Sequence, residues 1–234
     1  MTKLGIIGAM DIEVALLKEK MENMTVTAQA GMEFYEGILE GLPCVVVQCG
    51  VGKVNAAMCA QILCSCHGVT HLVNTGIAGS LRAQLDIGDL VVSKDAMYHD
   101  FDCVHFGYEM GKVPGMDTVA FPADEAMIAR AVRAAESVHP GHVSLGRVAS
   151  GDLFVAEKTV KNTIIEKTGA VCTEMEGAAI AHTAYRNKVP FVILRAISDK
   201  ADDSAEMDYP TFERIAAHRC APVTAAMAKE LLEI

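Results

Sequence analysis

The run Phe191-Val192-Ile193-Leu194 leads without interruption to Arg195, Ser198 and Asp199. So short an apolar run is too brief for a helix and fits a strand covered on both faces, as in a parallel sheet flanked by helices. Charged side chains do not follow such a strand inward unless they are paired or meet a ligand. In open α/β sheets the ligand crevice lies at the carboxyl ends of the strands. A second stretch, Thr173-Glu174-Met175-Glu176-Gly177-Ala178-Ala179, sets two acids at the mouth of an Ala-rich helix. Together they predict a polar pocket in an apolar α/β scaffold.

The rest of the chain keeps the same rhythm. Strands are predicted at 3–8, 34–39, 44–48, 71–75, 90–93, 143–149, 170–173 and 191–197, and helices at 11–22, 53–66, 123–138, 157–167, 177–187 and 211–232. Residues 34–39 and 44–48 form a hairpin turned by Glu40-Gly41-Leu42-Pro43, and Pro222 predicts a kink or break in the last helix. The expected fold is a three-layer α/β/α domain with a mixed central sheet, a single domain over 1–234. The segment 96–121 has no clear element, and loops of that length are often functional.

Thirty acids against twenty bases, a net charge of −10, argue against nucleic acid or an anionic membrane as partner. The start of the chain reaches Asp11 and Glu13 too soon for a signal-peptide apolar region, and no stretch approaches the ~20 apolar residues of a spanning helix. The eight cysteines are scattered through apolar runs. They read as buried free thiols of a cytoplasmic protein.

Familiar ligand motifs fail on spacing. Gly52-Lys53 lacks the Gly five residues earlier and the following Ser or Thr of a phosphate loop, and Gly5–Gly8 lacks the dinucleotide pattern. Neither Cys64-Ser65-Cys66-His67 nor His99-Asp100-Phe101-Asp102 has a second ligand pair, so no metal is expected. Glu13 falls in the first turn of a helix, where the dipole favours an acid and keeps a carboxylate ionised; a structural and a catalytic role are both open. Gly76-Ile77-Ala78-Gly79 follows a strand and fits either a tight turn or close backbone approach to a ligand. Phe154 fits either the core or a stacking surface for a flat heterocycle.

Taken together, Gly8-Ala9-Met10 with Glu13, Thr75-Gly76-x-Ala78-Gly79, Ser150-Gly151-Asp152 with Phe154, Glu174-Met175-Glu176 and Arg195-Ala196-Ile197-Ser198-Asp199 resemble the bacterial 5′-methylthioadenosine/S-adenosylhomocysteine nucleosidases. The resemblance runs nearly the whole chain in the same order. It implies a nucleoside phosphorylase-like fold, a homodimer, no cofactor, and hydrolysis of the adenine–ribose bond in methionine salvage and S-adenosylmethionine by-product recycling. By this resemblance Asp199 is the general acid at the purine nitrogen, Glu13 the base that activates water, and Arg195 its positioning partner. Glu176 holds the ribose hydroxyls, Met175 packs on the sugar, Phe154 stacks on adenine and the Val155 backbone reads its edge. Ala78, Gly79 and Ser198 complete the substrate site, and Met10, Val51, Phe106 and Tyr209 line an alkylthio pocket. The stretch from Cys103 through Phe106 to Pro114 reaches the neighbouring subunit's site. Ile77 departs from the pattern: the family carries a Ser there that helps hold the water, which leaves Glu13, Arg195 and backbone for the task.

The chemistry fits this set. Cleaving an N-ribosyl bond builds oxocarbenium character on the sugar and calls for a protonated leaving group and a positioned water. Two carboxylates in different environments take those opposite roles. A nucleoside phosphorylase needs cationic or hydroxyl groups for its anion, and Glu13 and Ile77 stand where these would be. A hydrolase of another nucleoside, such as futalosine, is a second rival and a non-catalytic nucleoside-binding protein a third; loss of Glu13 or Asp199 would mark the binding protein.

Overall fold

The computed structural model describes residues 2–202 and 205–232. β1 (Leu4–Gly8) is fully buried and pairs in parallel with both β4 (Leu42–Gln48) and β5 (His71–Ser80). β10 (Phe191–Asp199), buried at every position, runs parallel to β5 along one edge and antiparallel to β6 (Leu90–Tyr98) along the other. β8 (Val143–Ser150) and β9 (Cys172–Glu174) continue from β6, and β9 returns to pair with the end of β5. The mixed sheet expected from the sequence therefore closes partly on itself, β10-β6-β8-β9-β5 forming a ring, while β1, β4, β3 (Met32–Leu39) and β2 (Glu22–Gln29) extend from it as an open wing. β7 (Phe121–Pro122) adds a short ladder to β6.

Helices cover both faces, giving the three layers. One core packs β1, β4 and β5 against Ala56, Cys59, Ala60 and Leu63 of α2 (Lys53–Cys66) and the alanines of α5 (Gly177–Asn187). The other packs the opposite face against α1 (Asp11–Glu19), α3 (Glu125–Val138) and α6 (Ala205–Leu231). A smaller cluster seats α4 (Lys158–Thr168) beneath Leu81, Ala149 and Val155. Each large apolar side chain removed from water contributes roughly 1.5–3 kcal/mol, so helices rich in Ala gain chiefly by close approach to the sheet.

Several boundaries differ from the sequence reading. α1 ends at Glu19, and the residues after Met21 form β2, an edge strand exposed throughout, with no buried face to mark it. The hairpin turn is only Glu40-Gly41, both at positive φ (49° and 84°), as a two-residue turn requires. α6 runs unbroken through Pro222; the position four residues back, His218, is exposed, so water can satisfy the carbonyl that proline leaves unbonded. In 96–121, β6 continues to Tyr98, and a single 3₁₀ turn at Val104–Phe106 interrupts the rest. Five cysteines are buried, Cys64 and Cys103 are half-buried and Cys66 is exposed; all eight are free thiols. Among the described residues no helix is long and apolar enough to cross a membrane.

Candidate active site

The parallel strands β1, β5 and β10 deliver Gly8, Gly79 and Asp199 to one end of the sheet, where a partly open pocket lies. Its floor is charged and its mouth apolar.

Glu13, in the first turn of α1, folds back over the end of β1. Its Oε2 accepts from the backbone N–H groups of Ala9 (2.7 Å) and Met10 (2.9 Å), and Oε1 from that of Ile77 (3.0 Å). Three amide donors and Arg195 Nη1 at 3.8 Å favour the ionised form. Burial to 1% exposure outweighs them, and the carboxyl titrates above its ordinary value of 4.5.

Arg195 is equally buried. Nη2 donates to Asn74 Oδ1 (2.5 Å) and makes its closest contact with Glu174 Oε2; Nη1 donates to the Ile77 carbonyl at 3.2 Å, and Glu176 Oε2 lies 3.5 Å from Nη2. One guanidinium is shared among three carboxylates, which keeps the arginine charged and leaves the acids competing for a single cation. Glu176 is pushed well above the carboxylate range by burial and by the Glu174 charge. Its Oε1 accepts from the Gly52 N–H at 2.8 Å, tying the start of α2 to the pocket.

Glu174 is the part of this cluster that sequence reasoning noticed without giving it a role. Oε1 accepts from Ser150 Oγ, and Oε2 from the N–H groups of Gly177 (2.7 Å) and Glu176 (3.2 Å). Ser150 Oγ in turn accepts from Ala178 N at 2.7 Å. Glu174 and Ser150 therefore satisfy the orphan donors of α5, whose N-cap residue Glu176 turns its own carboxylate to Gly52 instead. The usable signal was two acids just ahead of a Gly-Ala-Ala helix start. Asn74, also missed, is buried, and its amide donates to the Ile7 carbonyl at 3.0 Å.

Asp199 closes the other side. Oδ2 accepts from Ser198 Oγ (2.8 Å) and Oδ1 from the Ala201 N–H (2.7 Å). The two glycines of β5 make room for these groups. A Cβ on Gly76 would stand 2.3 Å from both Arg195 Nη1 and Glu13 Oε1, and one on Gly79 would stand 2.8 Å from Asp199 Oδ1. The Gly76–Gly79 stretch is neither a turn nor a loop but strand, kept bare for side chains that cross it.

Met10, Val51, Ala78, Met175, Phe154 and Tyr209 line the apolar part. Tyr209 Oη donates to Met10 Sδ at 3.3 Å and its ring meets Phe154 edge-on, centroids 5.4 Å apart. Val155 is the exception among the expected binding residues: its side chain is buried in the α4 cluster and does not line the pocket. Cys103, Phe106 and Pro114 are also absent from their own chain's pocket, with Phe106 82% exposed.

Away from the pocket, Asp89, His139 and His142 bring three potential metal-ligand atoms within 4.8 Å of one another, a grouping not foreseen from spacing. Arg219 Nη1 lies 2.6 Å from His139 Nε2, a fixed cation beside any metal there.

A profile of the Phosphorylase superfamily matches residues 3–232. A 5′-methylthioadenosine/S-adenosylhomocysteine nucleosidase of Psychromonas ingrahamii is 42% identical over 217 residues, 92% of this chain and 93% of that one. The chain belongs to the methylthioadenosine/S-adenosylhomocysteine nucleosidase family of this superfamily. A nucleosidase of this family from Neisseria meningitidis, solved in complex with methylthio-immucillin-A, superposes with a TM-score of 0.95 at 36% identity, over 98% of this chain and all of that one. The futalosine hydrolase of Helicobacter pylori shares the fold, with a TM-score of 0.93 at 30% identity over 98% of each chain. Fold and family stand as the sequence resemblance implied.

Proposed function

We propose that this chain hydrolyses the N-glycosidic bond of 5′-methylthioadenosine and S-adenosylhomocysteine, releasing adenine and the 5′-thio-ribose. One observation carries the choice of hydrolysis over phosphorolysis. Of the charged side chains lining the pocket among the described residues, Glu13, Glu174, Glu176 and Asp199 are acids, and the one cation, Arg195, is committed to three of them. Phosphate entering here would meet uncompensated negative charge, whereas neutral water would not.

In this reading Asp199 gives its proton to the purine nitrogen as the bond lengthens, and charge builds on the sugar. Glu13, fixed by three backbone donors, takes a proton from the attacking water, and Arg195 holds that carboxylate in place. Glu176 accepts from the ribose hydroxyls and Met175 packs on the ring. Phe154 stacks on adenine while the Val155 backbone reads its edge. The apolar wall of Met10, Val51 and Tyr209 takes the alkylthio group and rejects a free 5′-hydroxyl only weakly.

The raised Glu13 titration has a kinetic consequence. As pH falls through it the carboxylate gains a proton and the base is lost, so the acid limb of kcat/KM is expected above pH 4.5, the ordinary value for this side chain. A profile still flat at that pH would show that no group with Glu13's titration controls the reaction.

We infer a homodimer in which the partner's Phe106 completes the alkylthio pocket. Its support is an exposed apolar corner at the pocket mouth. Val51, Val54, Met58, Val104, Leu153 and Phe154 are each at least 40% exposed there, and their segments are pinned together by Lys53 Nζ to Asp100 (2.5 Å) and Lys53 N to Asp152 (2.9 Å). Light scattering is expected to give twice the chain mass of 24.9 kDa, with a monomer excluding a shared site. Eight free thiols support placement in the reducing cytoplasm.

The deciding experiment is incubation with methylthioadenosine with and without phosphate, both products being identified by chromatography. Adenine and free methylthioribose at a phosphate-independent rate support the reading. A sugar 1-phosphate formed only with phosphate, or no adenine at all, would overturn it.

A further inference from the structure

We propose that Lys161 is a positioning residue for Asp199: its ammonium holds the Lys200–Ala201 peptide in the orientation that presents the Ala201 N–H to the acid's carboxylate. The proposal rests on the nucleosidase reading above, in which Asp199 protonates the leaving base. Lys161 stands on α4, outside the pocket lining, with its side chain 14% exposed. Its Nζ donates to the Lys200 carbonyl at 2.5 Å and lies 3.4 Å from Asp202 Oδ2. That carbonyl belongs to the same peptide unit as the Ala201 N–H, which donates to Asp199 Oδ1 at 2.7 Å. A peptide unit is planar and rigid, and in the trans form found here its C=O and N–H point opposite ways. Lys161 at one end and Asp199 at the other therefore grip a single plate.

The plate needs holding. Ala201 sits at φ 49°, in the left-handed region that a residue with a Cβ enters only at a cost. Turning the plate over, with ψ of Lys200 and φ of Ala201 rotating in opposite senses, would return Ala201 to negative φ and take its N–H away from Asp199. Strained conformations of this kind persist only where the surroundings over-determine them. Ala201 is fully buried in the small cluster that includes Ile164 of α4, which fixes its methyl group but leaves the peptide plane to hydrogen bonds. The Lys200 ammonium is tied elsewhere: it donates to the Leu85 carbonyl at 2.5 Å and lies 3.0 Å from Asp86 Oδ1. Lys161 takes the backbone carbonyl, and a flip would leave its largely buried charge without that acceptor. Hydrogen bonds from charged donors are about twice as strong as neutral ones. Bonding the carbonyl also polarises the N–H at the far end of the same unit, which strengthens its donation to Asp199. Lys161 thus reaches the acid from outside the pocket, through one peptide.

Lys161→Met keeps the aliphatic stem and removes the donor. It is expected to lower kcat on methylthioadenosine about tenfold, the equivalent of one hydrogen bond from a charged group. KM should stay within about twofold of the parent, because the residues lining the pocket are unchanged. The second arm repeats the substitution in an Asp199→Asn background, with single-turnover release of adenine as the readout in both. An amide has no proton to give, so its exact placement no longer matters, and Lys161→Met should cost nothing further there; two changes in one device do not add. A parental kcat in Lys161→Met overturns the proposal. So does the same loss repeated in full in the Asn background, or a KM that rises as much as kcat falls, since either marks general support of the fold. Should Met fail to fold by circular dichroism, Lys161→Ala carries the same comparison. If the parent itself releases no adenine, the nucleosidase reading fails and this inference with it; a working parent with an unaffected Met variant removes only the role of Lys161.

Discussion

Asp199→Asn is expected to lower kcat on methylthioadenosine by on the order of 10²–10⁴, the usual contribution of a positioned acid or base. The exchange keeps size and position, and the Asn carbonyl oxygen can still accept from the Ala201 N–H, as Oδ1 does at 2.7 Å. What it removes is a proton that can be transferred to the base. Substrate binding should therefore persist, because the apolar wall and Glu176 are untouched. The measurement is a pair: single-turnover release of adenine, and equilibrium binding of a non-hydrolysable substrate analogue. Near-native turnover in the variant would take Asp199 out of the acid's role and leave the strand-end carboxylate without a task.

The second large effect is structural. Glu174→Ala removes the carboxylate closest to Arg195 and strips the N–H groups of Glu176 and Gly177 of their acceptor. Breaking a buried ion pair from one side costs about 3–5 kcal/mol, since the remaining charge stays in a low-dielectric interior. Asn74, Glu13 and Glu176 still surround the guanidinium, so the loss should fall within that range and not beyond it. In a chain of this length the melting temperature should drop by on the order of 10 °C. A melt within a degree or two of the parent would mean that the other carboxylates can take over the arginine, and that Glu174 is not its main counter-ion.

What the sequence made legible follows from where hydrophobic pattern exists. α2 and α5 have the bounds their periodicity predicts, and β10 was readable because its apolar run is unmistakable. β2 was invisible for the opposite reason: exposed along its length, it has no buried face to alternate with. β5 was cut short at Thr75 because Gly76-Ile77-Ala78-Gly79 looks like loop chemistry. Those glycines are there because Glu13, Arg195 and Asp199 cross the strand, a reason that lies elsewhere in the chain. The same limit applies to the pocket. Residues brought in by motif, such as Glu13, Arg195 and Asp199, do converge. Asn74 carried no local mark, and Glu174's service to Arg195 depends on a contact across 21 positions.

The ring closure bears on how this protein fails. β10 is hydrogen-bonded along both edges, and its two ladders belong to strands that are themselves held by further neighbours. Opening the amides around Arg195 thus requires unzipping the centre of the sheet, a transition close in free energy to unfolding the domain. Amide exchange at this strand should be among the slowest in the chain. Fraying of the β2 edge, by contrast, can proceed far without disturbing Glu13, Arg195 or Asp199. On heating, then, peripheral order is shed first, and the capacity for turnover disappears only when the central sheet melts.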